Sequence, residues 1–316
     1  MLLASTMTMS KPILVTGSHR SGTTWAGRML CLSGEAGYID EPFSPSRWPG
    51  WMPTRPPYWY LYVSKQNAPA YRPVMEQVLR FRYPTRRHIA VSRNPRHAGR
   101  VLIDSSRSLM YRLRGLLPLL KDPMALFSSE WFAETFDMSV VVMIRHPAGF
   151  ASSVKRLNWQ FKFKGWLAQE PLMRDWLHPF EEQMRYHSSH DTDIIDQAIL
   201  MWNAMYHVVH QFRHRNPAWS FSRHEDLAES PIVRFRDLYG DLGLRWDERV
   251  ARRVASYSSE RNPREVPSWL HATVRRNSRE ATRTWHNRLT DDEIKRVAYG
   301  VADVARHFYT EEELHV

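Results

Sequence analysis

The sequence predicts an α/β fold, an open parallel sheet with helices on both faces. Three observations carry this. Short apolar runs alternate along the chain with stretches of helical period. One run, Ser139 to Ile144 (SVVVMI), is apolar without alternation, as a strand buried on both faces is. Another, Ile13-Leu14-Val15, ends at Gly17 and leads through a polar, glycine-bearing loop into a helix.

The elements follow in order. After the strand at 13–17, the segment TTWAGRMLCL (Thr23 to Leu32) has its apolar residues on one helical face, and Gly34 stands near its end. Tyr38 to Glu41 reads as a brief strand or strand edge. Residues 42–62 hold six prolines and three tryptophans, which exclude a regular helix and predict an ordered surface loop. Helical patterns cover about 68–82 and 97–116. Pro147 opens a helix directly after SVVVMI. A long helix is expected from Ile194 to Arg213, a strand at Trp219 to Ser222, and helices at about 231–242, 247–256 and 290–307. Neither an internal repeat nor a linker-like stretch interrupts the chain. Residues 1–10 are expected to be a disordered tail and 11–316 one domain.

Composition excludes several classes. Of 316 residues, 43% are hydrophobic and 24% charged, so disorder, collagen and coiled coil do not fit. One cysteine, Cys31, leaves no internal disulfide and no cysteine-based zinc site, and suits a reducing compartment. No run of about 18 apolar residues predicts a spanning helix, and the start of the chain does not resemble a secretory signal. A cytoplasmic location follows as an expectation, with peripheral contact at a membrane surface left open. The net charge of +11 favours anionic partners, although only seven of the 44 basic residues are lysine and an arginine-rich composition explains the excess equally well.

The loop Gly17 to Trp25 (GSHRSGTTW) makes the predicted fold P-loop-like. Gly17 and Gly22 are separated by four residues, with Thr23 and Thr24 next. Glycines let the backbone approach a phosphate, successive N–H groups turn inward, and the helix N-terminus adds partial positive charge. The nucleotide-hydrolase version of this loop carries lysine where Thr23 stands. Here the cation is inside the loop, at Arg20. That weakens ATP or GTP hydrolysis as a reading and leaves a nucleotide kinase as the enzymatic rival.

RSGTTW after a strand resembles the 5′-phosphosulfate loop of sulfotransferases, which transfer a sulfuryl group from 3′-phosphoadenosine 5′-phosphosulfate (PAPS). Cytosolic members usually place lysine before the Ser-Gly. Tyrosylprotein and Golgi carbohydrate members place arginine there, as at Arg20. The resemblance assigns His19, Arg20, Ser21, Gly22, Thr23, Thr24 and Trp25 to the donor loop. A second segment agrees. Arg145 ends the strand SVVVMI, at the carboxyl edge where open α/β sheets bind ligands, and Ser153 follows eight residues on. RHPAGFASSVKRL resembles the family segment whose arginine and serine hold the 3′-phosphate. Ser222 to Leu227 (SRHEDL) resembles the Tyr-Glu-Asp-Leu segment near the adenine, with His224 in the tyrosine's place. RRNSREATRTWHNRLT, Arg275 to Thr290, resembles the basic loop that closes over the nucleotide, making Arg276, Arg283 and Trp285 candidates.

Sulfuryl transfer needs a base for the hydroxyl proton, charge stabilisation on the oxygens, and in-line placement. The donor's leaving group is already a phosphate, so no metal is required. Glu41 is the candidate base, because Tyr-Ile-Asp-Glu-Pro-Phe resembles the Glu-Pro segment of carbohydrate sulfotransferases. Asp40 is the neighbouring alternative, which strand alternation points the other way. Lys121-Asp122-Pro123 resembles the family segment whose lysine contacts the transferring group, making Lys121 a catalytic cation beside Arg20. The resemblance implies PAP (adenosine 3′,5′-bisphosphate) as the product and a hydroxyl acceptor, of carbohydrate or glycolipid type. The aromatic loop at 48–62 suits stacking on sugars, and packing the loop down explains it equally well. His187, His190, Asp191 and Asp193 lack tight metal-ligand spacing. The basic run from Arg80 to Arg100 lacks a nucleic-acid fold motif; nucleic-acid binding is the non-enzymatic rival. Oligomeric state is not legible.

Overall fold

The computed structural model describes residues 11–263, 275 and 277–315. Among the described residues five strands, all parallel, form one sheet: β1 (Ile13–Gly17), β2 (Ala36–Asp40), β3 (Leu117–Lys121), β4 (Ser139–Ile144) and β5 (Ser220–Arg223), in spatial order β2-β3-β1-β4-β5. The helices that position the site are α1 (Thr23–Leu30), α2 (Ala68–Leu79), α3 (Thr85–Ala90), α4 (Pro95–Leu113), α5 (Ser129–Phe136), α6 (Pro147–Arg156), α7 (Ile194–Arg215), α8 (His224–Glu229), α9 (Pro231–Asp241), α10 (Glu248–Ser258), α11 (Ser278–Arg283) and α12 (Asp291–Ala305).

Period-two alternation assigns each strand residue to one of two cores. Leu14, Leu120, Val140, Val142 and Ile144 pack with α5, α6, α7 and α12. Ile13, Val15, Leu119, Val141 and Met143 pack with α1, α9 and α10 on the other face. Both faces are covered, so the strands carry apolar runs. Local caps explain the helix starts. The Asn94 side chain accepts from the His97 N–H with Pro95 in the first turn of α4. His146 and Pro147 open α6, and a Thr290–Glu293 capping box opens α12.

One strand goes unannounced and one expectation is corrected. The sequence pattern does not announce β3, which lies between β2 and β1 and begins directly after α4. Its Pro118 reads as a strand breaker. The pairing with β1 runs only from Leu119 to Lys121, so Pro118 lies beyond it and faces β2 alone, at Gly37. The 42–62 stretch has only a short 3-10 turn at Pro45–Arg47, in line with its prolines, but it is not a surface loop. Phe43, Trp51, Met52, Tyr60 and Leu61 are buried in the larger core. The expected tail, 1–10, lies outside the described residues.

Candidate active site

The chain leaves β1 and β4 in opposite directions across the sheet, so a crevice opens at their carboxyl ends. Gly17 (φ 141°) ends β1 where a Cβ would come within 2.3 Å of the Met143 carbonyl oxygen, so only glycine fits the approach. Ser21 Oγ donates to the Ser18 carbonyl at 2.6 Å, and Ser18 Oγ bonds Tyr206 of α7 at 2.9 Å. Arg20 adopts φ 65°. Gly22 (φ 92°) is the N-cap of α1 and supplies no side chain to cap it. The first-turn N–H groups are thus presented as an anion site is. A Cβ on Gly22 would lie 2.4 Å from His224 Nδ1, which places the start of α8 against the loop. Thr23 is buried, Thr24 is exposed, and Trp25 packs edge-to-face on His224 and Phe235.

Arg145 is fixed at the end of β4. Its N–H donates to Tyr206 Oη at 2.9 Å and its carbonyl accepts from Trp202 Nε1 at 3.0 Å. Its guanidinium donates to the Arg20 carbonyl at 2.5 Å, and Arg20 Nε donates to Ser153 Oγ at 2.8 Å. The structure therefore brings together Arg20, Arg145 and Ser153 across the crevice. Trp285 stacks on His146, centroids 5.1 Å apart and planes 10° apart, beside Arg145. Burial lowers His146 to about 4. It is neutral: Nδ1 accepts from the Ala148 N–H, and Nε2 donates to the Glu313 carbonyl at 2.9 Å. Arg283 is exposed and lines a cavity of about 480 Å³ with Glu229, Glu260, Asn277, Arg279 and Glu280. Arg276 lies outside the described residues.

The second cluster sits at the ends of β2 and β3. Lys121 is fully buried, with Nζ 2.7 Å from Asp40 Oδ1 and ion-paired to Glu41. Arg47 closes the far side, 3.2 Å from Glu41 and 3.6 Å from Asp40. Burial opposes the lysine charge, but Tyr38 and the two carboxylates outweigh it and hold Lys121 above the ordinary range. Burial likewise pushes Asp40 up, and the Lys121 and Arg47 charges bring it below the carboxylate range. Asp40 and Glu41 meet the same ammonium, contrary to strand alternation. The reason is Glu41's φ of 47°, which ends the extended geometry at that residue. Asp122, pushed up to about 8 by burial and the Glu41 charge, accepts from Phe43 N–H at 2.6 Å and Met124 N–H at 2.9 Å. The Asp122 N–H donates to Val15 and its carbonyl accepts from Thr16 Oγ1, tying this cluster to the end of β1.

Several site residues carry no local sequence signal. Tyr60 accepts from the His19 N–H at 2.8 Å and is paired with His19 Nδ1. Burial drives buried His19 down to about 3, and its Nε2 has no hydrogen-bond partner among the described residues. Tyr60 and Tyr206 reach the loop, and Arg47 the acidic pair, only through the fold.

The sequence matches the model of the Sulfotransferase family over residues 12–248. The chain belongs to the sulfotransferase family. No curated protein sequence matches it at a significant level. Among solved structures, the sulfotransferase domain from the curacin biosynthetic pathway aligns over 93% of this chain and 98% of its own, at TM-score 0.50 and 13% identity. At that identity the likeness speaks for the fold. A sulfotransferase of Mycobacterium tuberculosis covers 94% of this chain and 78% of its own, at TM-score 0.44 and 16% identity. Family and fold together make this a sulfuryl-transfer protein whose sheet, loop and helices are arranged as an α/β sulfotransferase.

Proposed function

We propose that this sulfotransferase moves the sulfuryl group of PAPS to a hydroxyl of a carbohydrate or glycolipid, with Glu41 as general base. The observation that carries the reading is the interlock of the donor loop with the strand-end arginine: Arg145 to the Arg20 carbonyl, and Arg20 to Ser153. One arginine and one serine, remote in sequence, stand beside a loop whose two positive-φ glycines let its backbone close against Met143 and His224.

The N–H groups at the start of α1, with Ser21 and Thr23, would hold the 5′-phosphosulfate. Arg145 and Ser153 would hold the 3′-phosphate, and His224, Trp25 and Trp285 would flank the nucleoside. Glu41 takes the acceptor proton as the acceptor oxygen bonds sulfur and the bond from sulfur to the 5′-phosphate oxygen breaks. Lys121 and Arg20 stabilise charge on the departing bridging oxygen. Lys121 already fixes one Glu41 oxygen and Arg47 the other, so the base is oriented before substrate arrives. Trp59 and Tyr58, half-buried in the aromatic loop, offer ring faces for a sugar.

Calorimetric titration tests this. Adenosine 3′,5′-bisphosphate should bind well and ATP with Mg²⁺ poorly. Arg145→Ala should weaken the bisphosphate by about 10–100-fold, the worth of one charge-assisted hydrogen-bond set. No binding of the bisphosphate to the wild type would overturn the proposal.

A further inference from the structure

The positive charge is concentrated in one place. Between residues 80 and 116 stand ten arginines (80, 82, 86, 87, 93, 96, 100, 107, 112 and 114) against a single acidic residue, Asp104. That stretch holds nine of the chain's eleven net positive charges. All ten arginines are exposed. Asp104 bridges to Arg100 at 3.7 Å and Arg107 at 3.4 Å, neutralising one charge between them.

The same stretch exposes an aliphatic stripe. On α4, Leu102, Ile103, Leu109, Met110 and Leu113 are exposed by 55%, 60%, 45%, 40% and 77%. Their spacing places them on one face of the helix, opposite buried Val101 and Ser108. Arg96, Arg100, Arg107 and Arg114 follow one flank of that stripe by the same period. Ile89 and Val91 add exposed apolar side chains at the end of α3. The helix is firmly held from behind. Ser108 Oγ donates to the Phe81 carbonyl, Thr85 and Ser105 hydroxyls bond at 2.6 Å, and Tyr111 packs edge-to-face on Phe81.

We propose that the α3–α4 hairpin docks on the surface of an anionic lipid bilayer. The aliphatic stripe enters the headgroup boundary, and the arginine stems lie along it with their guanidinium groups at lipid phosphates. Charge complementarity selects this occupant. A second copy of the chain would bring two arginine rows together. A nucleic acid would meet the arginines but offer no slot for the aliphatic side chains. Among the described residues no helix is long and apolar enough to cross a membrane, so contact stays at the surface. The hairpin adjoins the aromatic loop, because His88 Nε2 bonds the Gly50 carbonyl at 2.9 Å and His88 packs edge-to-face on Trp48. Docking itself requires nothing of the transfer reaction.

Vesicle co-sedimentation tests this. The intact chain should sediment with phosphatidylglycerol/phosphatidylcholine vesicles at low salt, bind pure phosphatidylcholine far less, and release from the anionic vesicles as salt rises. The triple variant Leu102→Ser, Ile103→Ser, Leu113→Ser should lose at least about tenfold in partitioning, since three aliphatic side chains leave the interface. Its thermal midpoint serves as the folding control and should not move, because all three side chains are exposed. Absence of sedimentation with anionic vesicles would overturn the proposal. So would equal partitioning of the variant, which would reduce the contact to nonspecific charge. A concentration-dependent dimer that the triple variant abolishes, with no vesicle binding, would assign the stripe to a second copy.

Discussion

Replacing Glu41 by Gln is the perturbation that separates the proposed base from its neighbour. The amide keeps the size of the side chain, and its one oxygen can still accept from Lys121 or Arg47 but not from both, and it takes no proton. General-base catalysis is worth about 10²–10⁴ in rate, or roughly 3–5 kcal/mol of barrier. Asp40→Asn removes the other carboxylate on the same ammonium. Lys121 then retains Glu41, so turnover should fall by less than about tenfold, at the scale of one partly exposed charge pair. The assay is release of adenosine 3′,5′-bisphosphate from PAPS with a panel of sugar-hydroxyl acceptors, beside calorimetric affinity for the bisphosphate. The Glu41 variant should lose turnover and keep that affinity within about threefold, since Glu41 contacts Lys121 and Arg47 rather than the donor loop. Turnover preserved in the Glu41 variant and lost in the Asp40 variant would reverse the assignment. Loss of donor affinity equal to the loss of turnover would make Glu41 a structural residue.

Gly22→Ala forces a Cβ to within 2.4 Å of His224 Nδ1 at φ 92°, so it should lower the melting midpoint by a few degrees and weaken bisphosphate binding. Adding His224→Ala should restore part of the stability, because the steric term is relieved while the backbone strain remains. Acid should destabilise the chain partly through buried histidine. His146 titrates at about 4 in the fold and near 6.5 when unfolded, so the unfolded chain takes up its proton first. Its contribution is complete above about 6.5 and is lost as pH falls toward about 4. Melting midpoints between pH 7.5 and 4.5 should fall less steeply in His146→Gln than in the wild type, and equal slopes would refute this.

What was legible in the sequence tracks how local the physics is. β1, the glycine-bearing loop after it and β4 announce themselves because parallel strands buried on both faces need continuous apolar runs, and the loop needs its glycines. Arg145 and Ser153 were legible as strand end and helix face. β3 was not, because five residues containing Pro118 carry too little pattern, and only its unpaired position against β1 makes the proline tolerable. The alternation rule failed at Glu41 because one left-handed residue ends the strand there. Tyr60 and Tyr206 were invisible because their roles depend on partners 41 and 188 residues away. The aromatic loop was legible as non-helical but not as core, since buried irregular chain has no period to read.

The distribution of charge bears on a question that composition left even. An excess of eleven positive charges suggested an anionic ligand, and the proposed donor is an anion, so the two invite a link. The structure separates them. The cations at the site already meet protein oxygens: Lys121 the two carboxylates, Arg20 the Ser153 hydroxyl, Arg145 the Arg20 carbonyl. Donor recognition in such a crevice relies on oriented N–H groups and a few fixed cations, which salt screens weakly. The excess charge lies instead on ten exposed arginines around an aliphatic stripe, where salt screens strongly. The two functions should therefore part on one axis. Raising ionic strength from about 0.05 M to 0.5 M should release the chain from anionic vesicles while bisphosphate affinity falls only modestly. If both fell together, the arginine field would be serving the donor site, and the hairpin would be part of it.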